Sequence, residues 1–427
     1  MTSSRDVRTL DALRDHATVL AGDSAADLEP VADALADSTV VGMGEATHGT
    51  HEHFRLKAAL FRRLVEDHGF RLFGLEANYS ETLAVDRYVR GADDAPDSAA
   101  DALAATYFWP WYVAELRDLV EWMRAFNEGR SREEQVRFFG FDSQHVVGGA
   151  KALQPFLADA DTELLAEHRE TLEMMADWGL DHEHDDEILD PRIDHARASV
   201  DALRERLDER RGEYVDATSE RAVQRAELHL ATMADTVEMR DADSVVEGGR
   251  IRNRAMADGV DRLLDASRHD RIAVWAHNTH VQRVPSELDG EEVKQTGQHL
   301  ADRYGDDYAA LGFSFTGGSF QAMAQDDDEF GLRDCSVEAA SEGSIGATLA
   351  RIDGSPLFLD VRDATDDTPL DSFLRTGRLF RSFGGGYPRN EFEPEMVLTD
   401  AFDALIHTDE TTRAVPLGHP SEIDSWG

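Results

Sequence analysis

Lysine is almost missing from this chain of 427 residues: Lys57, Lys151 and Lys294 are the only ones, and arginine supplies the rest of its 43 basic side chains. Cysteine is rarer still. With Cys335 alone, no intramolecular disulfide can form, and a reducing interior is the natural compartment. No stretch approaches the length of apolar chain that spans a bilayer, and the start, MTSSRDVRTLDALRDHA, has neither the basic n-region nor the apolar h-region of a secretory signal. The expectation is therefore a cytoplasmic protein with no membrane partner. Positive charge is scarce in general, with 43 Lys and Arg against 86 Asp and Glu for a formal net charge of −43. Such a surface repels phosphate backbones and argues against nucleic acid as a partner. Acid excess along the whole chain with so little lysine fits adaptation to concentrated salt, where carboxylates stay hydrated and their repulsion is screened.

What is present is enough for a substantial core: 41% hydrophobic residues, with 6 Trp and 20 Phe. That places the chain among globular proteins and not among disordered acidic ones. Apolar runs rich in Val, Ile, Leu and Phe recur at 38–45, 70–78, 136–144, 271–280, 308–318, 355–362 and 402–410, most of them followed by a helical pattern. Runs with little in-out alternation suit strands covered on both faces, so the fold class expected is α/β, a largely parallel β-sheet flanked by helices. The first crossover can be read closely. Thr50 is a plausible N-cap, Glu52 sits in the first turn, and Phe54, Ala58, Phe61, Leu64 and Val65 recur at helical spacing before Gly69 supplies a stop. Residues 151–250 break the pattern, being long, charged and helix-forming without a strand candidate, and are expected to form a helical insertion or lobe over the carboxyl ends of the strands. No repeat or linker divides the chain, so 1–427 is read as one domain, and nothing in the residues speaks to oligomeric state.

The stretch TVVGMGEATHGTHEHF (39–54) ends an apolar run in a cluster of Glu and His. It admits three readings, namely a metal-ligand set, an acid/base pair at a strand end, or a solvated loop. In an open parallel sheet, ligands bind where the carboxyl ends of the strands meet helix N-termini. Strand one ends in Glu45 and His48, strand two in Glu76, strand three in Asp142 and Gln144, and strand four in His277 and His280. Any one of these could be a cap or a hydrogen-bonded core residue. Burying all of them at one edge would cost several kcal/mol unless they satisfy each other or a ligand, which favours a joint functional reading. His51 and His53, in the first turn of the following helix, are expected to face solvent or the groups that support the site, and are left out of the site itself. DHEHDD (181–186) is expected to be a solvated loop and not a metal site. The aromatics Trp109, Trp111 and Tyr112, near the presumed cleft, suggest that a sizeable, partly apolar group stacks there.

GEATHGTHEHF (44–54) with GLEAN (74–78), followed in order by EWMRAFN (121–127), GFDSQ (140–144), RNRAMADGV (252–260), AHNTHV (276–281), GFSFTGGSF (312–320), RSFGGGYP (381–388) and FDALIHTDETT (402–412), strongly resembles the erythromycin esterase family. Only about 160–245 is free of the resemblance. It implies an α/β protein with a cleft under a helical lobe that hydrolyses an ester or lactone without a metal or other cofactor. By motif, His48 is the counterpart of the family's catalytic His, Glu45 and Glu76 of its carboxylates, His277 and His280 of a second histidine pair, and Arg252 of the arginine in an Arg-Asp element. Two positions depart from the pattern, Asn253 in that element and Lys57 where the first helix carries an arginine-like base, which is expected to alter charge at the rim where substrate binds.

A neutral imidazole suits a general base at neutral pH, with Arg252 and one of His277 and His280 as oxyanion donors and the other as a proton donor to the leaving alcohol. No Gly-x-Ser-x-Gly elbow occurs and the only cysteine is far from these motifs in sequence, so direct attack by water is expected, without an acyl-enzyme. The rival reading keeps three His and two Glu and adds zinc or manganese, although the HExxH signature is absent. A further alternative is a relative that binds a carbonyl compound or glycan without turning it over.

Overall fold

Each apolar run becomes a strand because it can bury both faces. The computed structural model describes residues 4–106, 108–178, 191–326, 329–363, 368–387 and 391–418. In chain order the main strands are β1 (Val40–Met43), β2 (Leu72–Asn78), β3 (Arg137–Asp142), β4 (Ile272–Trp275), β5 (Tyr308–Asp326), β6 (Glu329–Val337), β7 (Leu357–Asp360) and β8 (Ala404–Thr411). The sheet runs from a short edge strand, Thr18–Val19, through β7, β8, β5, β1, β4 and β2 to β3. Every pairing from β8 to β3 is parallel. The period of two along the strands sends Val41, Met43, Phe73, Leu75, Phe138 and Trp275 into one buried layer and Val40, Leu72, Phe139, Phe141, Ile272 and Val274 into the other.

Helices supply the covers. α1 (His51–His68) follows β1, α2 (Tyr79–Val89) follows β2, and α3 (Ala114–Asn127) leads towards β3. α1 begins at Thr50, whose backbone is extended, and ends at Gly69 in the left-handed region with φ 75°, a conformation that costs glycine nothing. After β3 come α4 (Val147–Ala160), α5 (Thr162–Ala176), α6 (Pro191–Glu209), α7 (Arg211–Ala217) and α8 (Glu220–Arg240). These five share their own core, including Leu153, Leu172, Leu203, Tyr214 and Leu230. They reach back to the loop at the carboxyl end of β3, where Thr236 Oγ1 donates to the His145 carbonyl at 3.4 Å and Arg240 to the Gln144 carbonyl at 3.3 Å. α9 (Val245–Ala266) then returns to the sheet, laying Met256, Ala257, Val260 and Leu263 on its second face. The DHEHDD stretch, like Tyr107 of the aromatic segment, lies outside the described residues.

Two features differ from the expected pattern. The run at 308–318 does not stop at its glycine pair: β5 continues to Asp326 and doubles back as β6 in an antiparallel hairpin. The run at 355–362 forms β7, which pairs antiparallel with β8, so the parallel centre carries an antiparallel margin. Among the described residues no helix is long and apolar enough to cross a membrane.

Candidate active site

The loop after β1 is held in place before any side-chain chemistry is considered. The carbonyl of Gly49 accepts from Gln321 N at 2.9 Å and from Ala414 N at 2.8 Å. A Cβ on Gly49 would lie 2.1 Å from the Gln321 carbonyl oxygen, so only glycine admits this approach, and His48 is thereby fixed between β1 and α1. On the neighbouring strand end, Asn278 donates to the Phe313 carbonyl at 2.7 Å and accepts from Phe313 N at 3.0 Å. Its own N–H donates to the Glu45 carbonyl at 2.8 Å, tying the ends of β1, β4 and β5 together.

Glu45 is wholly buried and serves two sides. Its Oε1 meets His48 Nδ1 at 2.7 Å, while its Oε2 accepts from Trp275 Nε1 at 2.8 Å and from the Lys57 ammonium. Burial would raise its pKa, but Lys57 and His48 more than offset that and hold the carboxylate ionised. For His48, burial works against the imidazolium, yet Glu76 and the bond to Glu45 outweigh it and raise the pKa above the usual value. With Nδ1–H on Glu45, the Nε2 lone pair is the basic atom. Among the described residues Nε2 has no hydrogen-bond partner, and the side chain keeps 10% of its surface exposed.

Glu76 is more completely engaged. Oε2 accepts from His277 N at 2.8 Å, and Oε1 faces Arg252 Nη2 at 3.1 Å and His280 Nε2 at 3.3 Å. Burial opposes its ionisation, but His280, His48 and Arg252 hold its carboxyl well below the usual range. Arg252 also forks onto Asp142, with Nε at 3.0 Å and Nη2 at 2.6 Å, and Gln144 steadies Asp142 through Nε2 at 2.6 Å. That leaves Nη1 of Arg252 as the part of the guanidinium with no hydrogen bond among the described residues. His277 sits against His48, with ring centroids 5.1 Å apart. Its Nε2 contacts the Phe383 carbonyl at 2.9 Å, which only an N–H can satisfy, and its Nδ1 accepts from Thr279 N at 3.2 Å. Burial, with His48 beside it, pushes its pKa down to about 3, so His277 is neutral.

Glu45, His48, Glu76, Asp142, Gln144, His277 and His280 therefore meet at one edge of the sheet, where their four strands end, and Arg252 reaches them from α9. Four expectations change in detail. Lys57 does not stand at a rim: it is fully buried beneath Glu45, 3.9 Å above the Trp275 ring, and burial lowers its pKa to about 8. His53 does not face solvent. It lies four residues before Lys57 on the same face of α1, packed against Phe313 and Phe315, and burial with Lys57 nearby drives its pKa well down. Trp111 is wholly buried, donating to the Glu76 carbonyl at 2.9 Å and standing edge-on to His48, so it is a wall of the site and not a stacking surface. Trp109, 4% exposed, packs with Met323 and the half-buried Tyr112. Cys335, far away in sequence, packs in the same buried cluster as Ala46 and Phe383. His51 pairs with Glu115 away from His48. Missed altogether were Trp275, Thr279 and the Phe383 carbonyl. Asn253 was noted only as a departure, yet its Oδ1 lies 2.9 Å from His280 Nδ1. Among the described residues no group of three or more His, Cys, Asp or Glu side chains is disposed to hold a metal ion.

Comparison with known proteins agrees with this architecture. Residues 65–411 match the erythromycin esterase family. That span includes Glu76, Asp142, Arg252, His277 and His280, while Glu45 and His48 precede it. Erythromycin esterase type II of Escherichia coli is 24% identical over 84% of this chain and 91% of its own length. Two solved structures share the fold. A succinoglycan biosynthesis protein superposes with TM-score 0.82 at 18% identity, over 98% of this chain and 100% of that one. A mutant of the erythromycin esterase EreC in its open conformation gives TM-score 0.70 at 18% identity, over 92% and 96%.

Proposed function

This chain belongs to the erythromycin esterase family, and from that premise we propose that it hydrolyses a carboxylic ester or lactone by water that His48 activates. The observation that carries the reading is the geometry at His48: Nδ1 on a buried carboxylate at 2.7 Å, and Nε2 basic and without a partner among the described residues. Nε2 takes a proton from water as the oxygen attacks the ester carbonyl, and Glu45 stabilises the imidazolium that forms, the division of labour of triad-type sites. On this reading the carbonyl oxygen, now anionic, accepts from Nη1 of Arg252, whose other nitrogens Asp142 and Glu76 hold. His48 then returns the proton to the departing alkoxide. His277, neutral and with both nitrogens engaged, is a poor acid for that step, so the reading drops it as proton donor and keeps it as a packing neighbour of His48. Among the described residues neither a serine nor Cys335 hydrogen-bonds His48 Nε2, which supports direct hydrolysis over an acyl-enzyme.

The substrate is proposed to be sizeable and partly apolar, a macrolide-like lactone or another bulky ester. A Cβ on Gly385 would lie 3.6 Å from Trp109 and 3.9 Å from His48, so a substrate opening proposed beside this glycine would meet the apolar wall and the base together. We take 1–427 as one unit in which the helical lobe roofs this opening, and its acidic surface as suited to a salt-rich cytoplasm. The test is hydrolysis of p-nitrophenyl esters and of a panel of lactones and macrolides in concentrated salt. His48→Ala is expected to lower kcat/KM by roughly two to four decades while leaving the circular dichroism spectrum unchanged. Equal rates in the two proteins would remove His48 from the chemistry. Activity is expected to survive exhaustive chelation; loss that zinc restores would transfer the same residues to a metal-assisted mechanism.

A further inference from the structure

We propose that the protein has a second site, for a compact organic polyanion, in a cavity on the far side of β3 from the esterase cleft. The cavity, about 540 Å³, opens between α2, α8 and the end of α9, beside the amino end of β3. That volume lies within the range of small-ligand pockets. Its lining inverts the charge of the chain. Seven arginines meet three carboxylates there, Asp86, Glu133 and Glu220, in a protein with twice as many acidic as basic residues.

Each of those carboxylates is already occupied. Asp86 takes Arg90 at 2.9 Å and Arg137 at 2.8 Å, Glu133 takes Arg268 at 3.1 Å, and Glu220 takes Arg211 at 2.6 Å. Among the described residues Arg132, Arg221 and Arg225 have no carboxylate partner, while Arg87 has only a long pair, its Nε 3.9 Å from Asp94 and without a hydrogen bond. Their mutual repulsion is visible in the neighbours. Burial and then Arg132, Arg137, Arg90 and Arg225 draw down the Arg221 guanidinium, and burial with Arg225 and Arg87 pushes His229 behind them down to about 4. Guanidinium forks gathered without counter-charge are matched by adjacent oxyanions, which they bind in bidentate pairs. Between them the lining is apolar, with Tyr79, Leu83, Phe139, Leu228 and Leu263. The ligand class is therefore an organic anion with two or three closely spaced phosphate or carboxylate groups on an apolar or aromatic body. A nucleic acid is too large for the cavity and is repelled by the remaining surface.

Calorimetric titration of the full chain with inorganic pyrophosphate, ADP and citrate, at two salt concentrations, tests this. Saturable binding of at least one probe is expected, weakened roughly tenfold or more by the double substitution Arg221→Gln/Arg225→Gln, two exposed positions whose loss leaves the core untouched. Arg254→Gln, which touches only the exposed pair with Glu238, is expected to bind as the wild type does. Tighter binding of ADP than of pyrophosphate would place the organic body on the apolar lining, and tighter binding of citrate would identify a carboxylate source. The proposal is overturned if no probe saturates, or if the double variant binds as tightly as the wild type.

Discussion

Glu45 and Glu76 stand at the ends of β1 and β2, with β4 between them, and both are buried carboxylates held ionised by cations. What differs is what is left over. Glu45 gives one oxygen to His48, whose second nitrogen has no partner among the described residues, and anchors the other on Lys57 and Trp275. Glu76 divides its oxygens among Arg252, His280 and a backbone N–H, and among the described residues leaves no side chain with a free basic atom. On the proposed mechanism, two carboxylates of similar burial have separate tasks: one supports a base, the other sets the field in which that base works. The contrast between them lies in the unused valence of a neighbour and not in burial.

The sharpest way to break this division is at Lys57. Lys57→Met leaves Glu45 buried without its cation, and the expected loss is about 3–5 kcal/mol of stability, read as a fall in Tm. A loss no greater than that of an exposed pair such as Arg254 with Glu238 would mean that Glu45 does not depend on the buried ammonium. A smaller effect is expected on the other side. Glu76→Gln keeps the side chain's shape but removes the charge that favours imidazolium at His48 and sets an amide NH2 where one acceptor oxygen stood, and kcat is expected to fall roughly 10- to 100-fold with the fold retained. If Glu76→Gln instead cost as much activity as His48→Ala, the two carboxylates would share one task and the contrast would collapse.

How much of this was legible follows from where each signal lives. The strand ends were, because a both-faces-buried strand writes a continuous apolar run and the polar residue that closes it stands at the sheet edge, as Glu45, Glu76 and Asp142 do. The long hairpin of β5 and β6 was not. Gly317 and Gly318 resemble punctuation, but Gly318 has φ 124°, and a Cβ there would fall 2.2 Å from the Thr411 carbonyl oxygen; the glycine permits close strand packing and does not end the strand. His53 was left between solvent and the groups that support the site, although its four-residue spacing from Lys57 puts both on the inner face of α1. The Phe383 carbonyl that fixes the tautomer of His277 carries no side-chain signature at all, and Trp275 reads simply as a core residue until its indole N–H is seen on Glu45.

The smallest effect is the most discriminating, because it sets activity and stability in opposition. His48 must be neutral to act as a base, and its pKa is raised above 6.5, so kcat/KM is expected to climb with pH through that raised value, about tenfold per unit below it, and then level off. The stability sign is the reverse. A group whose pKa is higher folded than unfolded contributes stability that is fully present below the unfolded value near 6.5 and is lost as pH rises through the folded one. Tm is thus expected to decline slightly over the same window in which activity rises, once the other titrations are removed by comparison with His48→Ala. Glu76→Gln, which deletes the largest influence raising that pKa, is expected to move both limbs to lower pH together. Glu45→Gln, which removes the charge in direct contact with Nδ1, should move them too and also lower the plateau, because the imidazolium loses the carboxylate that stabilises it. If the activity limb shifted in Glu76→Gln while the Tm limb stayed in place, the titrating base would be a group other than His48.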